Sequence, residues 1–385
     1  MCEYTHPTNL TKMSNSEKYI LDVMSGKRKG FCASLLRGVL SLIEPVYRWG
    51  IQSRNRKYDS GKNTVRLPTK VISVGNLTAG GTGKTPVVQW MVEKLIEIGK
   101  TPAVLMRGYK SVDGVSDEQA MLDVALNAKV SNADSANIIV QANPDRYAGA
   151  RDVLAKNPAV DVFVMDDGFQ HRRLARDFDL VLISAVEPFG FGHVHPRGLL
   201  REPISSLSRA QAVLITHTNE VSTDVLQKIT AEIRQHTVIP IFHCSHQQVA
   251  VRIDNTTHPM QWLAGKKVFA FCGIGNPDSF FRQLHKQKVA LVGELSLEDH
   301  FAYKENTFAK INDAAKKAKA DLLLTTEKDF AKLKRLKLTM PIGVVVMQVQ
   351  FYNEDDAALL KLIVAQLDDV QKPAVFAGLS RKQSL

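Results

Sequence analysis

From residue 69 onward, short apolar runs alternate with amphipathic stretches. Residues 71–74, 103–106, 160–165, 180–183 and 213–216 are apolar enough for strands buried on both faces, while 86–98, 145–155 and 223–235 repeat their apolar positions at helical spacing. Such alternation predicts a parallel sheet covered by helices on both sides. Near residue 238 the texture changes. Two strand-like runs, 240–246 and 248–252, precede a turn-rich DNTTHP, and alternation then restarts with strands at 267–271, 289–291, 322–325 and 344–349 and helices around 279–285, 306–318 and 354–367. The predicted organisation is therefore a larger α/β core over 69–237, a two-stranded linker over 238–263 and a smaller α/β lobe over 264–370. A polar, unstructured leader over 1–26 and a loose tail over 371–385 complete it. Met13 is a possible alternative start, since organised sequence begins just after it.

Residues 27–57 carry a different pattern. Leu35, Leu36, Val39, Leu40, Leu42, Ile43, Val46 and Tyr47 recur at helical spacing among Lys27, Arg28, Lys29, Arg37, Arg48, Arg54, Arg56 and Lys57, with Pro45 expected to kink the helix or start a second one. Two readings stand for the 27–68 segment: an interfacial helix on an anionic membrane with Tyr47 and Trp49 at headgroup depth, or a core-packing helix with a basic outer face. No apolar run reaches transmembrane length, and the leader lacks a secretion-signal core.

The 385 residues carry a net charge of +11, which favours an anionic partner without choosing among lipid, nucleic acid and phosphorylated substrate. Cys2, Cys32, Cys244 and Cys272 show neither disulfide nor zinc spacing and fit a reducing compartment. His193 with His195, and His243 with His246, have chelating spacing but no evident further ligands, so structural roles are expected.

Chemistry concentrates first in VISVGNLTAGGTGKTPVVQWMVEKL, residues 71–95. A strand, a glycine-rich turn and a helix are what phosphate binding needs, because glycines let backbone N–H groups curl around an oxyanion and the helix aims its positive end there. The loop is a variant, since Thr78 stands where the consensus G-x-x-x-x-G-K-[ST] has its first glycine. Thr78, Ala79, Gly80, Gly81, Thr82, Gly83, Lys84 and Thr85 form the predicted nucleotide cradle, with Lys84 on the terminal phosphates and the Thr85 hydroxyl on magnesium. The second concentration is VDVFVMDDGFQHRRL, residues 160–174, where a strand delivers Asp166 and Asp167 to the place a P-loop enzyme holds its metal. His171 follows closely enough to stand behind such a metal.

GNLTAGGTGKTP, RGYK (107–110), VSDE (115–118), DDGFQH (166–171), RGLLREP (197–203), EDH (298–300) and TTEKD (325–329) occur in the order found in the tetraacyldisaccharide 4'-kinases of lipid A biosynthesis, and the chain resembles that family over about residues 27–368. The resemblance implies transfer of phosphate from ATP, with Mg2+, to the 4' hydroxyl of a tetraacylated glucosamine disaccharide 1-phosphate at the cytoplasmic face of a bacterial inner membrane. It implies no nucleic-acid partner, and no obligate protein partner is evident. Carried over residue by residue, Asp117 of VSDE is the carboxylate that takes the hydroxyl proton, and His300 of EDH orients it. Lys84 and Thr85 serve nucleotide and magnesium, and Asp166, Asp167 and His171 lie at the metal. Arg201 is either a phosphate contact or a salt-bridge partner of Glu202 or another acid, and Arg107 either touches nucleotide or headgroup or shapes a turn. Thirty-three residues separate Lys84 from Asp117, so the loop after RGYK is shorter than the family pattern suggests. TTEKD receives no role. The rival from another class is a regulatory P-loop ATPase of the partitioning or metallochaperone type, which leaves DDGFQH, LREP and EDH unexplained.

Overall fold

A computed structural model describes residues 15–369 apart from 109–116, 128–136, 255, 300, 334–335 and 337–338; of residues 15–18, Asp117 and Glu118 it describes the backbone only. Two helices come first, α1 (Asn15–Met24) and the 29-residue α2 (Phe31–Asp59). The leader was expected to be unstructured, yet residues 15–24 are helical, and α1 packs on the start of α2. Arg37 makes that junction by donating to the carbonyls of Val23 and Arg28.

The strand and helix series follows as β1 (Lys70–Asn76), α3 (Lys84–Glu97), β2 (Pro102–Met106), α4 (Asp117–Asn127), β3 (Ile139–Ala142), α5 (Arg146–Lys156), β4 (Val162–Asp166), β5 (Phe178–Ser184), β6 (Ala212–Thr216) and α6 (Thr223–His236). It continues with β7 (Ile241–Ile253), β8 (Thr256–Pro259), β9 (Lys267–Cys272), α7 (Pro277–Lys286), β10 (Ala290–Ser296), α8 (Glu305–Lys317), β11 (Leu322–Thr326), α9 (Glu327–Leu333), β12 (Ile342–Phe351) and α10 (Asp355–Asp368). The strands form one sheet ordered β10-β9-β11-β12-β7-β6-β5-β1-β4-β2-β3, with β8 paired to β7. Pairing is parallel throughout except where β7 meets β12 and β8. The α/β parallel architecture read from the sequence is therefore observed.

Three features depart from the expected layout. The two short linker runs at 240–246 and 248–252 are one 13-residue strand, β7, which lies parallel to β6 on one side and antiparallel to β12 on the other. The runs are separated at Gln247 in the sequence, but a strand between two neighbours is held by its ladders whatever its local composition. The last helix was placed with the smaller lobe. In the structure Leu359, Ile363 and Leu367 of α10 pack with Val87, Val88 and Met91 of α3 in the core of the larger half, and Lys70 Nζ reaches the carbonyls of Gln366 and Asp369. Finally, α2 neither ends nor restarts at Pro45.

The sheet core is layered as parallel strands require. Val164, Leu180 and Leu182 face α3 and α10, while Val181 and Ile183 point to the opposite face with Ile229 and Ile233 of α6. Each face supplies apolar cover to a strand whose every position is buried, as along β5.

The apolar stripe of α2 does not join a core. Phe31, Leu35, Leu42, Val46 and Trp49 lie within about a quarter of the helix circumference and remain solvent-facing, Phe31 at 83% and Trp49 at 69% exposure. What α2 buries is Ala33 and Glu44. Glu44 accepts from Arg48 Nη2 at 2.8 Å, from the Val194 amide at 3.3 Å and pairs with His193 Nδ1 at 2.9 Å. His193 is thus an anchor for α2 and not half of a zinc pair.

Candidate functional site

The site begins where β1 and β4 end side by side, with Asp166 in register with Val74. The loop after β4 presses on β1 at two glycines, one in each. A Cβ on Gly75 would come within 2.6 Å of Phe169 Cβ, and one on Gly168 within 2.6 Å of Ser73 Oγ. Both glycines are required by close approach, so DDGFQH is seated directly on the strand that leads into the phosphate loop. Inside that loop Gly80 and Gly83 have φ of 140° and 74°, backbone that side chains resist. Lys84 opens α3 immediately afterwards.

RGLLREP runs alongside. Leu200 bridges antiparallel to Thr78, the Ala79 amide donates to the Leu199 carbonyl at 2.7 Å, and the Arg201 amide donates to the Leu77 carbonyl at 2.7 Å. This pairing carries the Arg201 side chain to Asp167, where Nη1 meets Oδ2 at 2.8 Å and Oδ1 at 3.0 Å. Lys84 Nζ approaches the same carboxylate at 3.4 Å. Burial pushes the Asp167 carboxyl up, but Lys84 and Arg201 together hold it below the usual carboxylate range. The salt bridge expected for Arg201 is thus made to an acid other than the adjacent Glu202, which is buried and taken by Arg209 Nη2 at 2.9 Å and Asn55 Nδ2 at 2.9 Å.

Two amides close the network, and sequence reasoning passed over both. Asn76 Nδ2 donates to the Thr78 carbonyl at 2.8 Å while its Oδ1 accepts from Lys84 Nζ at 3.3 Å; Gln170 Nε2 donates to the Asn76 carbonyl at 2.9 Å. They carry no charge signature, and only their places inside GNLTAGG and DDGFQH mark them. Lys84, Asp167, Arg201, Asn76 and Gln170 thus form one connected polar floor at the carboxyl ends of the strands, where ligands of α/β sheets bind.

His171 and Arg146 lie beside this floor. Burial, then the positive charges of Arg146 and Arg176, lower His171 to about 4, so its imidazole is neutral at physiological pH. No hydrogen bond joins the His171 ring to either aspartate among those the structure gives. Arg146, also missed, is buried at the start of α5. Burial lowers its guanidinium to about 10, while Asp167 and then, more weakly, Asp166 pull the other way and Arg107 adds to the lowering. Arg107 therefore sits in the same electrostatic neighbourhood, at the end of β2.

Asp117 opens α4, and α4 packs against both α3 and α9. Its side chain, and His300 entirely, fall outside the residues that the structure describes. What it gives is the frame around them. Asp329 is fully buried and accepts from the Gly273 amide at 2.9 Å and from Thr326 Oγ1 at 2.7 Å. Lys328 Nζ holds Asp299 at 2.8 Å, and Lys332 Nζ donates to the Phe301 carbonyl at 3.2 Å. TTEKD, which the sequence left without a role, thus reaches Asp299 of EDH through Lys328 and the strand end after β9 through Asp329, and α9 packs on the helix that begins at Asp117.

For magnesium the donor chemistry fits: a hydroxyl at Thr85 and carboxylates at a neighbouring strand end are the hard oxygens that cation takes, with phosphate and water completing the shell. Among the described residues no group of three or more His, Cys, Asp or Glu could hold a metal alone. His243 pairs with Asp355 at 3.5 Å, away from His246.

The docking of α2 reaches this site. Arg54 donates to the Gln170 carbonyl, Arg172 Nη1 to the Asn55 carbonyl at 3.0 Å, and Arg172 Nη2 meets Asp59 at 2.6 Å. Arg37, Arg48 and Arg54 thus spend donors on the protein, while Lys27, Arg28, Lys29, Arg56 and Lys57 are exposed basic positions near the two ends of the helix.

Comparison with known proteins agrees with this reading. A family model described as tetraacyldisaccharide-1-P 4'-kinase matches residues 36–368. The tetraacyldisaccharide 4'-kinase of Halothermothrix orenii is 32% identical over 345 residues, covering 83% of this chain and 88% of that protein. That of Syntrophus aciditrophicus is 38% identical over 333 residues, covering 80% and 87%. The crystal structure of LpxK from Aquifex aeolicus in complex with ATP superposes with a TM-score of 0.67 at 27% identity, covering 86% of this chain and 99% of that one.

Proposed function

Because the chain belongs to the tetraacyldisaccharide 4'-kinase family, we propose that it transfers the γ-phosphate of ATP to the 4' hydroxyl of a tetraacylated glucosamine disaccharide 1-phosphate, giving the 1,4'-bisphosphate of lipid A biosynthesis. The observation that carries this reading is the Lys84, Asp167 and Arg201 network at the mouth of the glycine loop. Two cations are held beside a phosphate cradle by one carboxylate, ready to be shared with phosphate oxygens as charge develops on them. Membership in a kinase family sets aside the regulatory ATPase, which has no use for that second cation or for the EDH segment.

The loop amides and Lys84 bind the β and γ phosphates, and Arg201 orients the γ group. Magnesium, when bound, would neutralise phosphate charge and would be held by Thr85 and Asp166, since Asp167 is spent on Lys84 and Arg201. Asp117 accepts the proton of the attacking hydroxyl, and His300, between Asp299 and Phe301 that Lys328 and Lys332 hold, orients that carboxylate. The contact between α4, which Asp117 opens, and α9, which carries Lys328, supports this pairing. Positioning supplies most of the catalysis, because the transferring phosphoryl group needs alignment more than covalent help.

The substrate's acyl chains stay in a bilayer, so the enzyme works at its surface. The exposed stripe of α2 lies in the interface, flanked by Lys27, Arg28 and Lys29 at one end and Arg56 and Lys57 at the other, and the same helix grips Gln170 of the site. This makes the enzyme peripheral or monotopic, on the cytoplasmic face where ATP is available. No described helix is long and apolar enough to cross a membrane.

The test is label transfer from γ-labelled ATP to the tetraacylated disaccharide 1-phosphate in detergent micelles. Transfer to lipid is expected, and ATP hydrolysis without it overturns the assignment. Asp117→Ala should abolish transfer while leaving ATP binding intact; retained transfer refutes the role given to Asp117.

A further inference from the structure

Beneath the phosphate loop lies a buried histidine pair that the catalytic scheme does not use. His246, on β7, is 163 residues from Gly83 in sequence, yet its Nε2 lies 3.0 Å from the Gly83 carbonyl oxygen. A carbonyl only accepts, so Nε2 carries the proton and donates. The ring fills the space a side chain at 83 would need: a Cβ there would meet His246 Cε1 at 2.4 Å. Thr216, the last residue of β6, donates from Oγ1 to the Thr82 carbonyl at 3.0 Å. Since that hydroxyl spends its proton on Thr82, the His217 nitrogen 3.1 Å away must donate to it, which places the His217 proton on Nδ1. His217 stacks on His246 with ring centres 4.5 Å apart and planes 29° apart. Burial lowers both imidazoles, His246 to about 3, so both are neutral donors.

The consequence follows from the planarity of the peptide group. In a trans peptide the C=O of one residue and the N–H of the next point in opposite directions. Tying down the carbonyls of Thr82 and Gly83 from below turns the amides of Gly83 and Lys84 upward, into the cradle. These are the donors nearest the start of α3, where an anion is best placed.

We propose that His246 and Thr216 are positioning residues of the phosphate loop, which set the direction of the Gly83 and Lys84 amides by anchoring the carbonyls of Thr82 and Gly83. His217 supports both by stacking on the one and donating to the other. The inference rests on the reading of the loop as an ATP site. It also assigns β7 a part in the reaction, because the strand that joins the two halves of the sheet supplies the floor of the cradle.

Three variants of the full-length enzyme test it, with ATP affinity and the KM for lipid measured separately in detergent. Glutamine can place its amide nitrogen where Nε2 stands and asparagine cannot, so His246→Gln should stay within about threefold of wild type for ATP while His246→Asn weakens it about tenfold, the size of one orphaned buried carbonyl. Thr216→Val, which keeps shape and removes the donor, should also weaken ATP about tenfold. The KM for lipid should not move in any of them. Equal ATP affinity for the Asn and Gln variants, or an unchanged affinity for Thr216→Val, overturns the inference. Wild-type enzyme that binds no ATP would overturn the reading of the loop itself, whereas wild-type binding shared equally by all three variants overturns the positioning role alone.

Discussion

Removing two apolar side chains from the exposed face of α2 gives the sharpest test of how the enzyme meets its substrate. Leu42 and Val46 are one turn apart, 79% and 68% exposed, and touch no core. Immersing a whole leucine or valine side chain is worth about 1.5–3 kcal/mol, so weighting by exposure the pair contributes about 2.5 kcal/mol to membrane binding when fully buried in lipid. A helix lying in the interface buries roughly half of that face, and about 1.25 kcal/mol remains, roughly an eightfold change in partition. Leu42→Ser with Val46→Ser should therefore lower partition onto vesicles of phosphatidylethanolamine and phosphatidylglycerol about eightfold. Fold stability should shift by no more than about 1 kcal/mol, the helix-propensity cost of two exposed serines. Turnover on micellar substrate should stay near wild type, because micelles deliver substrate without a surface to find. The apolar term survives salt, so the deficit should persist at high ionic strength, where the contribution of Lys27, Arg28, Lys29, Arg56 and Lys57 is screened. Vesicle sedimentation of the double variant within twofold of wild type would refute the interfacial role of this face.

Further outcomes follow from the site and its anchors. Asp167→Asn removes the charge that holds Lys84 and Arg201, and a loss of about a hundredfold in kcat/KM is expected from two charge-assisted contacts; a change under threefold would remove Asp167 from the machinery. Lys328→Ala should leave the KM for ATP unchanged and cut kcat at least about tenfold, since its bond to Asp299 of EDH belongs to the segment assigned to the proton transfer and not to the nucleotide loop; a rise in ATP KM with kcat intact would contradict that division. For Glu44, burial alone would raise the carboxyl, but hydrogen bonds from Arg48, His193 and the Val194 amide leave it below its ordinary 4.5. A group depressed on folding stabilises above the unfolded value and loses that contribution as pH falls through the folded one. Glu44→Gln should thus lower the melting temperature by a few degrees at pH 7, with the difference from wild type shrinking steadily below pH 4.5, as followed by circular dichroism; an equal difference at pH 3 would break the argument.

Signals that depend on neighbours in sequence were legible, and those that depend on distant partners were not. The glycine loop could be read because its geometry is set within ten residues, and Asp166 and Asp167 because a strand end places them. Arg201 was found, but its partner was not: choosing Asp167 over the adjacent Glu202 required the antiparallel run of Leu199 to Arg201 along the loop. Asn76 and Gln170 act through amides, which pattern cannot separate from loop polarity. α10 reads as any amphipathic helix, and nothing local says that its apolar face returns to α3. The basic residues of α2 were read as a membrane-facing set, whereas Arg37, Arg48 and Arg54 spend their donors on the protein, because a guanidinium reaches across a helix shoulder to whatever carbonyl or carboxylate is near.

Strand β7 has a practical consequence for anyone dividing this protein. A fragment ending before Ile241 would leave β6 as a naked edge, a row of unpaired donors and acceptors on a run, AVLIT, that is wholly buried in the intact chain. Such an edge recruits other chains. The larger half expressed alone should aggregate, and one carried through Ile253 would still leave the β12 side of β7 bare and lack α10 from its core. On the ribosome the first 240 residues wait in the same state, so the chain reaches a soluble form only after its last helix has emerged and turned back to the first strand.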